Sequence, residues 1–316
     1  MNSKHCPYCH CNTDVIKAGI TSSGRQRYRC KKCNKTWTNK PRVSRLEDKI
    51  WHDYVWRNLT SESLAEKYGI CKRKINTILE NHEILNIAPP DNFVSNMIGV
   101  DVTYVGRKYG FLSVIDITTG ICLYCEVTRG YETVWDYEKA LLCLHSHNIY
   151  PKVAIVDGKI SVIRMFERYG LKVQMCQFHM LRIATCYLTR KPVLEPNIEL
   201  RNIVLSLPHT NHEMFEQVFY HWKIRNNVWL MEKVKDKSGK WEYSHRKTRT
   251  LSRGIEVFLP YLFTYEQLPE LNIPKTNNLI EGIHSALKSK LNTHRGAKKS
   301  LKTKIVFSFF SGRTGV

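Results

Sequence analysis

Acidic residues are scarce in this chain. Its 316 residues include 28 Asp and Glu against 49 Lys and Arg, a formal charge of +21. That shortage excludes an acidic or neutral surface and points to a polyanionic partner. Long apolar runs are missing as well. None approaches the roughly 18 residues that a membrane-crossing helix needs, and the opening MNSKHCPYCHC has no apolar signal-peptide core. Neither an integral membrane protein nor a secreted one is expected; a cytoplasmic, nucleoid-associated protein is. A disulfide framework is lacking too. The 11 cysteines are odd in number, and six of them are scattered from Cys71 onward, several inside apolar runs. Reduced thiols in a cytosolic protein have that distribution. Hydrophobic residues are plentiful at 42%, so the chain can bury a core, and its length allows two or three domains.

Four cysteines are spaced in two knuckles, Cys6-x-x-Cys9 and Cys30-x-x-Cys33, with twenty residues between them. Each knuckle presents two thiolates, and two knuckles complete a closed tetrahedral zinc site. The intervening GITSSGRQRYRC reads as a hairpin with a glycine turn. Residues 1–40 are therefore expected to form a zinc ribbon with one structural Zn2+. His10 and Cys11 are spare donors that leave the ligand count open. So short a segment depends on its metal for stability. Residues 1–50 carry twelve Lys and Arg against three Asp and Glu. Arg25, Arg27 and Arg29 cluster on the hairpin, where charge and planar side chains suit phosphate contact and base readout.

Residues 41–90 read as helical. VSRLEDKIWHDYVWRN places Leu46, Ile50, Tyr54 and Val55 near helical spacing. Thr60 or Ser61 can cap a following helix that buries Leu64 and Ala65 and stops at Gly69. The next helix turns Ile75, Ile78 and Leu79 inward and Lys72, Arg73 and Lys74 outward. Short helix, glycine turn and basic helix are laid out as in a helix-turn-helix, with Lys72, Arg73 and Lys74 where a recognition helix meets DNA. A three-helix connector with a solvated charged face is the plainer alternative. Ala88-Pro89-Pro90 then marks a linker.

From residue 91 the pattern changes to short β-rich runs, MIGVDVTYVG, GFLSVIDITTG and ICLYCEVTRG, joined tightly enough for an antiparallel meander. A helix, the strand KVAIVDG, a helix, the strand KVQMC and a further helix follow. That is the order of an α/β ribonuclease H-like sheet. Its first and fourth strands are neighbours, so Asp101 and Asp157 converge. Ionised carboxylates among apolar strand residues need a partner or a metal. Asp116 is a rival for Asp101, and Asp157-Gly158 alone could be a plain turn. A third acid is expected from PKTNNLIEGIHSALKSKLN, where Glu281 lies early in a helix and His284 shares its face. Glu266 and Glu270 are alternatives. Three such acids would hold two hard cations, Mg2+ or Mn2+.

Asp101 in IGVDVTYV, Asp157 in AIVDG and Glu281 in TNNLIEGIH, the Cys176-x-x-His179 motif between them, and the four-cysteine ribbon ahead resemble the Mutator-like DDE transposase superfamily. That family includes a large group of bacterial insertion-sequence transposases, the ribbon resembles its zinc-binding variant, and the resemblance spans essentially the whole chain. One departure is the short stretch after Glu281, which ends in SFFSGRTGV. The resemblance implies a DDE-type transposase that binds double-stranded DNA, both the terminal inverted repeats of its own mobile element and a target. Strand cleavage and strand transfer would depend on Mg2+ held by Asp101, Asp157 and Glu281, in a homodimer or larger assembly on paired ends. A catalytically inactive, domesticated DNA-binding regulator is the rival.

The resemblance also places an all-α insertion at 194–267, between core segments 91–193 and 268–316. Residues 222–254 hold ten Lys and Arg against three Asp and Glu, interleaved with Trp222, Trp229 and Trp241. Those rings suit either stacking on distorted DNA or an ordinary core. Cys176, His179 and His284 are expected near the active site. The first two are read as packing residues beside the centre in preference to a zinc half-site.

Overall fold

The computed structural model describes residues 6, 8–9, 11, 14–21, 26–38, 45–84, 87, 89–90, 93–107 and 109–314. His10, Arg25 and Ala88 lie outside them. The chain forms two compact units, Met1–His82 and Glu83–Val316. No described helix is long and apolar enough to cross a membrane.

In the first unit, β1 (Val15–Ile20), β2 (Gln26–Cys30) and β3 (Thr36–Thr38) form an antiparallel sheet in that order. Strand alternation on β2 buries Tyr28 and Cys30 and exposes Arg27 and Arg29. Three helices follow: α1 (Arg45–Trp56), α2 (Ser61–Tyr68) and α3 (Lys72–Asn81). Thr60 Oγ1 accepts the Ser63 N–H at 3.3 Å, and Gly69 ends α2 with a φ of 62°, as its lack of a side chain permits. Ile75, Ile78 and Leu79 are buried on α3, whereas Lys72, Arg73 and Lys74 are exposed. Leu46 departs from expectation. It is 42% exposed, because the buried stripe of α1 starts a turn later, at Ile50. The sequence pattern also gives no hint of Asp53. This buried carboxylate accepts from the Tyr68 hydroxyl at 2.8 Å, from Lys67, and pairs with Arg57 Nε at 3.3 Å. Burial pushes its carboxyl up, but these donors outweigh it and hold the group below its ordinary range.

The second unit opens with β4 (Met97–Gly106), β5 (Tyr109–Asp116) and β6 (Cys122–Arg129), followed by α4 (Val134–Ser146), β7 (Val153–Val156), α5 (Ile160–Arg168), β8 (Lys172–Met175) and α6 (Gln177–Leu188). The sheet order is β6-β5-β4-β7-β8. The first three strands are antiparallel, and β7 and β8 run parallel to β4. This is the mixed sheet that the sequence pattern predicts. Thr133 and Asp136 form a capping box that starts α4. Ile98, Val100 and Val102 line one face of β4 and join Tyr137, Leu141, Ile163 and Phe166 in a single core. Each such side chain contributes roughly 1.5–3 kcal/mol by leaving water.

Beyond α6 lie α7 (Glu195–Leu205), α8 (His212–Arg225), α9 (Asn227–Met231), β9 (Lys233–Lys235), β10 (Trp241–Tyr243), α10 (Arg246–Leu262) and α11 (Thr264–Gln267). The expected all-α insertion is therefore corrected, since a two-stranded hairpin interrupts it. The cause is local. Asp236 Oδ1 accepts the N–H groups of Ser238 and Lys240 at 2.8 and 2.9 Å, and Gly239 takes a φ of 82°, so the chain reverses inside the segment expected to be all-helical. The insertion shares a core with α6, in which Met180, Ala184 and Leu188 meet Phe215, Phe219 and Leu251. Its tryptophans divide. Trp222 is core, 1% exposed, with Nε1 donating to the Pro196 carbonyl at 3.0 Å. Trp229 stacks on His245 at 3.6 Å, and Trp241 is 61% exposed with Lys235 over its ring. The chain closes with α12 (Asn278–Thr293) and α13 (Lys299–Ser311).

Candidate active site

The site begins at a cross-strand pair. Asp101 on β4 lies opposite Ser113 on β5, so their side chains leave the same face of the sheet. The start of α12 presses onto this face at Gly99. A Cβ there would stand 2.4 Å from Ile280 Cδ1 and 2.9 Å from Asn277 Oδ1. The bare backbone of Gly99 thus lets α12 approach β4, and that approach delivers Glu281 and His284. The His284 ring is 4% exposed. Its Nδ1 lies 3.0 Å from Asp101 Oδ2 and its Nε2 lies 2.8 Å from Ser113 Oγ. Asp101 Oδ1 accepts the Val102 N–H at 2.7 Å. The carboxylate is therefore held from two sides before any ligand arrives.

Asp157 follows β7 directly, beside β4. His179, on the first turn of α6, places Nε2 3.0 Å from Asp157 Oδ2. Its Nδ1 faces Glu281 Oε1 at 3.7 Å, beyond hydrogen-bond reach. Burial first, then the charges of Asp101 and Glu281, push the Asp157 carboxyl up to about 8. Burial holds His179 below its ordinary range. At neutral pH the Asp157–His179 contact is thus a hydrogen bond with little ion-pair character. Asp157 Oδ1 and Glu281 Oε1 are both buried without a hydrogen-bond partner. Buried carboxylate oxygens without a partner are costly as they stand, and they are donors of the kind a hard divalent cation takes. Asp157 and Glu281 offer such oxygens to an ion, and Asp101 lines the same cleft.

These acids line a cleft of about 500 Å³. Residues that the sequence pattern does not single out also line it, namely Glu132, Lys159, Arg182 and Lys288. Lys288 stands two turns beyond Glu281 on α12, and Arg182 one turn beyond His179 on α6, so helical spacing could have found both. Glu132 accepts from the Tyr137 hydroxyl at 2.6 Å and pairs with Lys159 at 3.2 Å. The strand register removes Asp116 as a rival for Asp101. Asp116 pairs with Ile98, three residues from Asp101, and therefore faces the opposite side. There it is buried, accepting from Thr119 N–H at 2.8 Å and Ser95 Oγ at 2.5 Å. Glu266 is engaged elsewhere, accepting the His212 N–H at 3.2 Å, and Glu270 lies in a separate 3-10 turn.

In the first unit, ligand atoms of Cys6, Cys9, Cys30 and Cys33 lie within 4.8 Å of one another, a cluster compatible with a zinc ribbon. Cys11 is not part of it; its Sγ points to Asp14 Oδ2 at 3.7 Å. Arg27 is exposed, and Arg29 donates to Asn34 Oδ1 at 3.1 Å. Lys72 is paired with Glu62 in its own unit, so its charge is partly spent there.

No known family matches the chain, and no curated protein matches it. Among solved structures it is similar to the large terminase nuclease from thermophilic phage G20c with bound magnesium. The identity is 11%, the match covers 56% of this chain and 85% of that one, and the TM-score is 0.20. At that score the likeness says nothing about this chain's chemistry.

Proposed function

We propose that the protein is a metal-dependent DNA-cleaving enzyme with a ribonuclease H-like core, a transposase of the DDE type that binds the terminal inverted repeats of its own element and cuts and rejoins their strands. The observation that carries this reading is the convergence of Asp101, Asp157 and Glu281, with unpartnered buried oxygens on the last two, in an open cleft rimmed by Lys159, Arg182 and Lys288. Magnesium bound by the three carboxylates would activate water or a 3′-hydroxyl and stabilise the leaving oxygen of a scissile phosphate. The chain's own residues prepare that site. His284 fixes Asp101, the start of α12 fixes Glu281 through Gly99, and the cationic rim meets the DNA backbone. The four-cysteine ribbon, filled by one zinc, and the exposed Arg73 and Lys74 of α3 supply the sequence-reading surface. Cleavage at two ends calls for a dimer or larger assembly on DNA.

Ser113, His284 and Asp101 also form the line of a serine-nucleophile triad. That reading fails on access, because Ser113 has 0% of its surface exposed and no substrate can reach it. The test of the proposed function is incubation of the full chain with Mg2+ and labelled DNA from the flanks of its own gene. Nicks mapping to a repeat boundary support it; binding of the ends with no cleavage in Mg2+ or Mn2+ makes the protein a regulator.

A further inference from the structure

Cys176 and His179 bring a thiol and an imidazole to a site where DNA cleavage requires neither. Cys176 follows β8 and caps the start of α6, His179 lies on the first turn of that helix, and Glu281 lies on the first turn of α12. The two helix starts are tied together. The Gln177 N–H donates to the Lys275 carbonyl at 2.9 Å, and the Asn277 N–H donates to Cys176 Sγ at 3.3 Å. Both helix N-termini favour anionic groups; burial pushes the Cys176 thiol up, so it becomes a thiolate when a metal displaces its proton. One ligand atom from each of Cys176, His179 and Glu281 lies within 4.8 Å of the other two. His179 Nδ1 and Glu281 Oε1 are 3.7 Å apart, and both are buried without a hydrogen-bond partner. Around a tetrahedral zinc with ligand bonds of 2.0–2.3 Å, ligand atoms stand roughly 3.3–3.8 Å apart. Only a small closure of this triangle is needed.

We propose that Cys176 Sγ, His179 Nδ1 and Glu281 Oε1 form a second metal site, selective for borderline-soft divalent cations of the zinc class, and that an ion there withholds Glu281 from magnesium. Thiolate and imidazole favour zinc and cobalt over magnesium, which prefers oxygen donors. The cleft would then carry two overlapping ion sites, one that supports cleavage and one that stops it, meeting at Glu281. Low zinc would leave the enzyme competent and higher zinc would arrest it. The inference shares Glu281 with the cleavage reading but has its own ligand set.

The experiment uses the full-length protein with its ribbon filled by one equivalent of zinc, which a four-thiolate site holds in preference to a three-ligand mixed site. Cobalt(II) is then titrated and the sulfur-to-cobalt absorption in the near ultraviolet is followed. One further equivalent of cobalt should bind with that band. Cys176→Ser should remove the band. His179→Gln and Glu281→Gln should retain it at saturation but weaken cobalt binding at least about tenfold, since even outer-shell partners of a metal cost that much. The three substitutions lie on two elements, so a folding defect in one leaves the others readable. Absence of the band in the wild type, its survival in Cys176→Ser, or unchanged affinity in both other variants would overturn the proposal. The band reports a metal–thiolate bond whether or not DNA is cut. A chain that shows it yet never cleaves in Mg2+ sinks the cleavage reading alone, and a chain that cleaves without it sinks this site alone.

Discussion

Replacing Asp157 with Asn should stabilise the metal-free protein while destroying its chemistry. The carboxyl is pushed up to about 8 by burial and by its neighbours Asp101 and Glu281. A folded-state value above the unfolded one, near 3.9, means that the native chain holds a proton the unfolded chain has lost. Stability therefore falls as pH rises from about 4 toward 8, and the full penalty is present above 8. The side chain keeps 35% of its surface exposed, so solvent screens much of this repulsion. Discounted accordingly, the penalty is about 2 kcal/mol, or roughly 4–8 °C in melting temperature for a unit of this size. Asn imitates the protonated acid and escapes the penalty. Melting curves of wild type and Asp157→Asn, taken without divalent ions between pH 4 and 8, should coincide at the acid end and separate toward pH 8 with the variant higher. Millimolar Mg2+ should then raise the wild type and leave the variant nearly unmoved. A variant less stable than wild type at pH 8 would mean that His179 holds Asp157 as an ion pair, and the repulsion argument would be wrong.

Gly99→Ala should push α12 off β4 at a cost of about 1–3 kcal/mol, as overpacking does, and should reduce DNA cleavage far more than DNA binding; equal losses in the two assays would deny that this glycine positions Glu281. Arg73→Ala and Lys74→Ala should each lower the slope of log affinity against log salt by roughly 0.9, a change read from binding titrations at several salt concentrations; an unaltered slope removes that residue from the DNA contact. Cys30→Ser should abolish hydrogen-exchange protection in β1–β3 while β4–β8 keep theirs, because among the described residues of the ribbon only Cys6, Tyr28 and Cys30 are buried, too small a core to hold without a metal; protection retained in β1–β3 would show a ribbon that folds without zinc.

The strands and helices of the second unit were legible because hydrophobic period and glycine stops agree along the chain, and that order made Asp101, Asp157 and Glu281 candidates while leaving Asp116, Glu266 and Glu270 as rivals. Three kinds of feature were not. The hairpin at 233–243 turns on the Asp236 side chain bonding the backbone ahead of it, a local feature that the all-α expectation for the insertion overlooked. Gly99 looks like any strand glycine until α12 lies on it. Ser113, His284 and Asp101 come from three separate segments, and only the strand register shows that they share one face. The same register decided between Asp101 and Asp116, a choice that composition and spacing left open. Cys176 and His179 were legible as a motif, but their partner Glu281 is far away in sequence and meets them only in the folded chain.

The most direct test of the central claim is Mg2+-dependent cleavage of labelled element ends by wild type and by Asp101→Asn, Asp157→Asn and Glu281→Gln, with DNA affinity measured on the same preparations. The account predicts that the wild type nicks at the repeat boundary and that each variant binds the ends about as tightly yet leaves them intact, since each loses an anionic oxygen that holds the cation and little else. Cleavage by all three variants in Mg2+ would contradict it.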